Sequence, residues 1–266
     1  MARSSVHGTA DLMHDSPVLR ALARGGYATN GILHLVIGGI ALAVAAGSSG
    51  EADQNGALAS ISATPGGLVV LWAVTVGLWA LGLFQVVTTV LVRGSGREAW
   101  AARAKEAGKA AAYLLIGFTA FRFAVGSGGG GEATQSLSAQ LLSAPAGVVL
   151  LVVIALGTCA IGGYFVQKGI RRGFTDDIAT PGGALGRWVL RIGTAGYVAK
   201  GIAIAVVGIL FGVAAFTADP SEASGLDGAL KALAELPFGA VVLAAVAMGL
   251  MAYGIYCVFR ARFARL

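Results

Sequence analysis

Three segments of 20 residues decide the fold: PGGLVVLWAVTVGLWALGLF at 65–84, PAGVVLLVVIALGTCAIGGY at 145–164 and PFGAVVLAAVAMGLMAYGIY at 237–256. Each is apolar and long enough to cross a hydrocarbon core of about 30 Å, which needs about 20 helical residues. The three segments align with one another at five positions. The aligned residues are Pro65, Pro145 and Pro237; Gly67, Gly147 and Gly239; Gly77, Gly157 and Gly249; Gly82, Gly162 and Gly254; and Phe84, Tyr164 and Tyr256. Because chance does not readily produce such a register three times, we interpret the chain as three copies of one repeat.

Each segment follows another apolar run, so each repeat is predicted to be a helical hairpin. The runs lie at 27–46, 66–92, 110–126, 146–167, 197–216 and 238–259, and the third is the shortest. The first helices align at Gly38, Gly117 and Gly208, with Gly31, Ala110 and Gly201 seven residues earlier. Leucines and isoleucines three or four apart before each proline predict a short amphipathic helix there. The predicted domains are a polar N-terminal tail at 1–17 and two-helix repeats at 18–93, 98–174 and 188–264.

The composition indicates a membrane protein. Of 266 residues, 56% are hydrophobic and 12% are charged, and the mean hydropathy is +0.79. A soluble domain of this size needs more charge to cover its surface. The fold class is therefore predicted to be all-α and integral to the membrane, with six transmembrane helices.

Basic residues predict the orientation of the spans. They occur before the first helix and after the second, fourth and sixth: Arg3, Arg20 and Arg24; Arg93, Arg97, Arg103, Lys105 and Lys109; Lys168, Arg171, Arg172, Arg187 and Arg191; and Arg260, Arg262 and Arg265. The other three loops carry one basic residue, Lys231. The positive-inside bias then places both termini on the cytoplasmic side of a plasma membrane. The same topology explains the isoelectric point near 9.6, so we expect no nucleic-acid partner.

An even number of spans in each repeat predicts the symmetry. Every copy then enters the membrane in the same direction. The copies should therefore be related by a pseudo-threefold axis along the membrane normal.

Three polar side chains within the runs are candidate functional groups, because a polar group in lipid is costly. His34 could be a metal or haem ligand or a hydrogen-bonded packing residue. Arg122 could reach the headgroups or bind a substrate, and Gln85 is best explained as an interhelical hydrogen-bonding group.

Two further sets of residues come from the repeat alignment. Asn30, Lys109 and Lys200 occupy matched positions in the three repeats. They either form a site for a lipid or an anion around a common axis, or they are ordinary residues of the membrane interface. The six glycines of the second helices are predicted to allow close helix packing, namely Gly77, Gly82, Gly157, Gly162, Gly249 and Gly254.

No motif indicates an enzyme, a metal site or a cofactor. The chain lacks zinc-ligand spacing, a nucleophile elbow, paired intramembrane carboxylates and a dinucleotide fingerprint. We therefore expect a noncatalytic membrane scaffold or accessory protein that binds membrane lipids, including anionic ones, or another membrane protein. The alternative is a small-solute or ion transporter or channel with an axial pathway.

The repeat pattern resembles a bacterial membrane family, typical of actinobacteria, catalogued as domain of unknown function 1206. The resemblance rests on the glycine-containing first helix, the Pro-x-Gly and the second helix with two glycines and an aromatic residue. It covers residues 19–263 and implies three two-helix repeats, but it brings no activity or catalytic residues. The middle copy departs from the pattern, because Lys105 and Glu106 replace the Gly-Tyr pair found at Gly26 and Gly196.

Overall fold

The computed structural model describes residues 17–92, 94, 96–127, 133–144 and 146–265. Most of the predicted tail, Arg93 and Pro145 lie outside the described residues. Within them the regular elements are helices, as the sequence predicts. The α-helices are α1 Pro17–Ala45, α2 Gln54–Ser62, α3 Gly67–Leu91, α4 Arg97–Ala124, α5 Ala133–Ser143, α6 Gly147–Ile170, α7 Gly183–Thr217, α8 Gly225–Ala234 and α9 Gly239–Phe263; short 3₁₀ helices cover Gly173–Asp177 and Pro220–Glu222.

Each repeat consists of a long helix, a short helix and a second long helix. The short helices α2, α5 and α8 lie where the sequence predicts them. Their apolar residues anchor them, since Leu58, Ile61, Leu230 and Leu233 are all buried.

A tight turn joins each short helix to the next long helix and explains the Pro-x-Gly pattern. The middle residue of the turn is left-handed, with φ of +79° at Gly66, +63° at Ala146 and +60° at Phe238. A Cβ on the glycine that follows would collide with a backbone carbonyl near the end of the short helix. The colliding pairs are Gly67 with Ile61, Gly147 with Leu141, and Gly239 with Ala234. Glycine is therefore required at this position by a close approach of the backbone to itself.

The helices group into two units. The first contains the start of α1, α3, α4 and the end of α9. The second contains the rest of α1, most of α2, α5 to α8 and most of α9.

In the first unit, glycines let α3 and α4 approach closely. A Cβ added to Gly82 would lie 2.7 Å from Leu114 Cγ, and one added to Gly117 would lie 2.5 Å from Trp79 Cδ1. Both distances are too short for a real Cβ, so a larger residue at either position would require the facing Leu114 or Trp79 side chain to move.

In the second unit, the aligned glycines make the equivalent contacts between α6 and α7. A Cβ on Gly162 would lie 2.6 Å from the backbone nitrogen of Ala205, and one on Gly208 would lie 2.6 Å from Cys159 Sγ. Backbone therefore lies against backbone at this helix pair.

Helices α1 and α9 make the third set of equivalent contacts, also within the second unit. A Cβ on Gly254 would lie 2.7 Å from the carbonyl oxygen of Gly31, and one on Gly38 would lie 2.8 Å from that of Ala247. Each second helix thus contacts a first helix through the same repeat positions.

The remaining three second-helix glycines differ from one another. A Cβ on Gly77 would lie 2.7 Å from Thr29 Oγ1, and one on Gly249 would meet the Cβ of Ala199. Gly157 is exposed, and a Cβ there would meet no atom within 4 Å. Helix packing therefore does not explain this glycine.

Five helical segments of the described residues are long and apolar enough to cross a membrane: 23–45, 67–91, 147–170, 183–217 and 239–263. The chain is therefore a multi-pass membrane protein. Helix α4 is not among them, although its 28 residues are long enough. Its first half carries six charged residues, namely Arg97, Glu98, Arg103, Lys105, Glu106 and Lys109. Its apolar part is therefore confined to the second half.

The neighbours Gly162 and Gly163 provide a matched test of this packing. Gly162→Val should lower the free energy of unfolding by about 1–3 kcal/mol, because the added methyls press on the α7 backbone. Gly163→Val should change it by no more than about 0.5 kcal/mol, since a Cβ there meets no atom within 4 Å. Unfolding titrations of the purified protein in mixed micelles would measure both values. Equal effects of the two substitutions would contradict the packing described here.

Candidate functional site

Helices α6 and α7 border an open groove of about 550 Å³ in the second unit. The lining residues are Cys159, Gly163, Val166, Gln167, Ile170 and Arg171 of α6 and its C-terminal end, and Ile202, Ala205 and Val206 of α7. The groove is thus apolar along most of its length and polar at one end.

Small residues open the groove. Its wall is formed in part by Gly163, Ala205 and Cys159. At the positions aligned with these three, the α3–α4 pair has Leu83, Leu114 and Trp79, and the α9–α1 pair has Ile255, Leu35 and Met251. The α6–α7 pair therefore has the smallest side chains at these three positions, which leaves room for the groove.

The polar end of the groove is formed by Gln167 and Arg171. Arg171 caps the C-terminus of α6, where its backbone N–H donates to the carbonyl of Gln167 at 2.9 Å. Its side chain is exposed and makes no ion pair or hydrogen bond to any described residue. Positions aligned with Arg171 hold Leu91 and Phe263, so neither of the other copies has a charge at this position.

The length of the groove matches one leaflet of a bilayer. Cys159 and Arg171 are 12 positions apart. At a rise of 1.5 Å per residue they are separated by about 18 Å along the helix axis. Half of a hydrocarbon core is about 15 Å, so the groove is about as long as one leaflet is deep.

A cluster of aromatic residues lies near the same end of α6. Phe174 stacks on Tyr197 with ring centroids 5.2 Å apart, and Tyr256 donates its hydroxyl hydrogen to the carbonyl of Phe174 at 3.2 Å. The ammonium of Lys168 lies 2.7 Å from an Asp177 carboxylate oxygen and 5.5 Å from the Tyr197 ring centroid. Lys168 is therefore neutralised by the protein.

The cation–tyrosine contact recurs in the first unit, which indicates a structural role. The guanidinium carbon of Arg260 lies 4.4 Å from the ring centroid of Tyr27, and its Nη2 donates to the Tyr27 hydroxyl at 3.4 Å. Arg260 aligns with Lys168, and Tyr27 aligns with Tyr197. Contacts of this kind contribute about 0.5–2 kcal/mol, depending on how far the cation is desolvated.

The three residues predicted to form a lipid or anion site have different surroundings. Asn30 is buried and donates to Cys257 Sγ at 3.4 Å. Lys109 donates to both carboxylate oxygens of Glu106 at 2.8 Å, one turn earlier in α4. Lys200 lies 4.2 Å from the ring centroid of Tyr253 and 5.3 Å from that of Phe165. Each is thus engaged by protein groups, and a shared anionic ligand stays a prediction.

The three polar residues singled out within the spans also contact protein groups. His34 is buried, and its ring centroid lies 4.7 Å from that of Tyr253. Gln85 is buried on α3, and Arg122 donates to the carbonyl of Ser127 at 3.1 Å. The described residues contain no group of three or more His, Cys, Asp or Glu that could hold a metal ion. His34 thus lies beside an aromatic ring, and its role as a ligand or as a packing residue stays a prediction.

Sequence reasoning missed the groove. The signal was present in the repeat alignment, as a loss of side-chain volume at Cys159, Gly163 and Ala205 relative to the aligned residues.

A family model described as Domain of Unknown Function (DUF1206) matches this chain three times, at residues 25–91, 104–172 and 195–264. The uncharacterized protein YxxB of Bacillus subtilis (strain 168) is 30% identical over 251 residues, which cover 92% of this chain and 90% of that protein. No solved structure matches the chain.

Proposed function

We propose that this chain, which belongs to the DUF1206 family, is a noncatalytic integral protein of the plasma membrane that holds a lipid in the groove between α6 and α7. The groove is the observation that carries the proposal. Its apolar walls suit an acyl chain, and its open side suits a ligand that enters from the bilayer.

The chemistry of the lining supports a binding role. Among the groove residues, Cys159 and Arg171 have ionisable side chains, and neither has a general base beside it in the lining set. Nucleophilic catalysis needs a nucleophile and a base within hydrogen-bonding reach. Binding without chemical conversion is therefore the function that fits these residues.

We also propose that the chain crosses the membrane six times and that its three hairpins are related by a pseudo-threefold axis along the membrane normal. The sixth span is the second half of α4, from Ala110 onward. Support comes from the repeat-equivalent glycine contacts of α3 with α4, α6 with α7, and α9 with α1. In this arrangement each second helix packs on the first helix of the next repeat, and the third repeat packs on the first.

The orientation follows from the basic residues, which place both termini in the cytoplasm. Arg171 then lies at the inner interface, and the groove extends from there toward the midplane. The lipid would accordingly come from the cytoplasmic leaflet.

Closing the groove tests lipid binding. Gly163→Leu should lower the amount of phospholipid retained by the purified protein by about tenfold or more, the change given by 1.4 kcal/mol, because the leucine occupies the acyl-chain space. Gly157→Leu is the matched control. It makes the same change on the same helix, also in open space, but outside the groove. Native mass spectrometry from mild detergent would count the retained lipids. Equal retention by the two variants would contradict the proposal.

Reporter fusions test the orientation. Green fluorescent protein fused after the C-terminus should fluoresce, because it folds in the cytoplasm. Alkaline phosphatase inserted between α7 and α8, within 219–224, should be active on the opposite side of the membrane. Active phosphatase at the C-terminus would overturn the proposed topology.

A further inference from the structure

We infer that the lipid in the groove is an anionic phospholipid of the cytoplasmic leaflet and that Arg171 binds its phosphate. This inference rests on the proposed function, since it names the headgroup of the same lipid.

Arg171 is the cation available at the end of the groove. Lys168 is one turn away but is paired with Asp177, at 2.7 Å. Arg171 is exposed, lines the groove and has no partner among the described residues. Its guanidinium can donate two parallel hydrogen bonds to phosphate oxygens, which is the geometry that arginine provides and lysine does not.

Gln167 supplies a second donor. It lies one turn before Arg171, and both side chains line the groove. Its amide N–H groups can donate to the oxygens that join the phosphate to the acyl chains. A phosphate bound by Arg171 would therefore have its apolar chains directed along Ile170, Val166 and Gly163.

The repeat alignment connects the charge with the groove. The α3–α4 and α9–α1 pairs have large side chains in place of the groove, and they have Leu91 and Phe263 in place of Arg171. They likewise have Val87 and Phe259 in place of Gln167. At these aligned positions the two donors and the small side chains thus occur together in the α6–α7 pair, which is what recognition of an amphiphile requires.

The same residue could instead be an ordinary interface anchor, as basic residues at helix ends often are. Arg172 is the control residue that distinguishes an anchoring role of Arg171 from phosphate binding. It is the next residue and is also exposed, but it does not line the groove. An anchoring role predicts similar behaviour for both arginines, whereas phosphate binding predicts an effect of Arg171 alone.

The experiment uses the full chain in mixed micelles that contain phosphatidylglycerol and phosphatidylcholine with identical acyl chains in equal amounts. Native mass spectrometry measures how much of each lipid is retained. Both lipids carry a phosphate, but in phosphatidylcholine the choline ammonium neutralises it, so the wild type should prefer phosphatidylglycerol. Arg171→Gln should reduce that preference by about tenfold, the change expected when a hydrogen-bonded charge is lost. Arg172→Gln should keep the preference, and Arg171→Lys should keep part of it.

Gly163→Leu separates failure of this inference from failure of the proposed function. If Gly163→Leu loses both lipids but Arg171→Gln keeps the wild-type preference, the groove binds lipid but Arg171 does not select the anionic headgroup, and the inference is overturned. Equal loss of preference in Arg171→Gln and Arg172→Gln overturns it as well. If Gly163→Leu retains both lipids, the proposed function fails and this inference fails with it.

Discussion

Close approach of neighbouring helices at glycine positions is the constraint on which the rest of this structure depends. Lipid offers no hydrophobic drive for helices to associate, because the acyl chains are as apolar as the side chains. Association must come from dispersion contacts and hydrogen bonds, and these need short distances. Gly82, Gly162 and Gly254 meet that need at equivalent places, since a Cβ on any of them would lie within 3.0 Å of the facing helix.

The same requirement explains why a groove forms beside one of these contacts. Gly162 lies against the α7 backbone, whereas its neighbour Gly163 points into open space. Where the other copies place Leu83 and Ile255 beside the contact, this copy has no side chain. Gly162, which packs against α7, and Gly163, which lines the groove, are thus adjacent residues of α6. Arg171, the charged residue of the lining, makes one end of the groove polar.

Much of the architecture could be predicted from the sequence, because it depends on period and composition. The hairpins, the short helices before each proline and the aligned glycines all follow from spacing. The reason for the Pro-x-Gly pattern could not be predicted from the sequence. It depends on the left-handed backbone conformation of Ala146 and Phe238, and on a backbone carbonyl that leaves no room for a Cβ two residues after the proline. Alignment matched Lys109 with Lys200, but Glu106 pairs with the first and aromatic rings surround the second. Matched positions therefore do not imply matched surroundings.

Cysteine cross-linking between α1 and α9 would test the central claim most directly, because this helix pair joins the last repeat to the first. In a chain with Cys159→Ala, oxidation in native membranes should join Asn30→Cys to the native Cys257, since the Asn30 Nδ2 and Cys257 Sγ atoms lie 3.4 Å apart. The Lys200→Cys and Phe165→Cys pair, at the equivalent place on α7 and α6, should behave in the same way in a chain that also carries Cys257→Ala, since Lys200 lies over the Phe165 ring. A cross-link at α6 and α7 without one at α1 and α9 would contradict a closed set of three equivalent helix contacts.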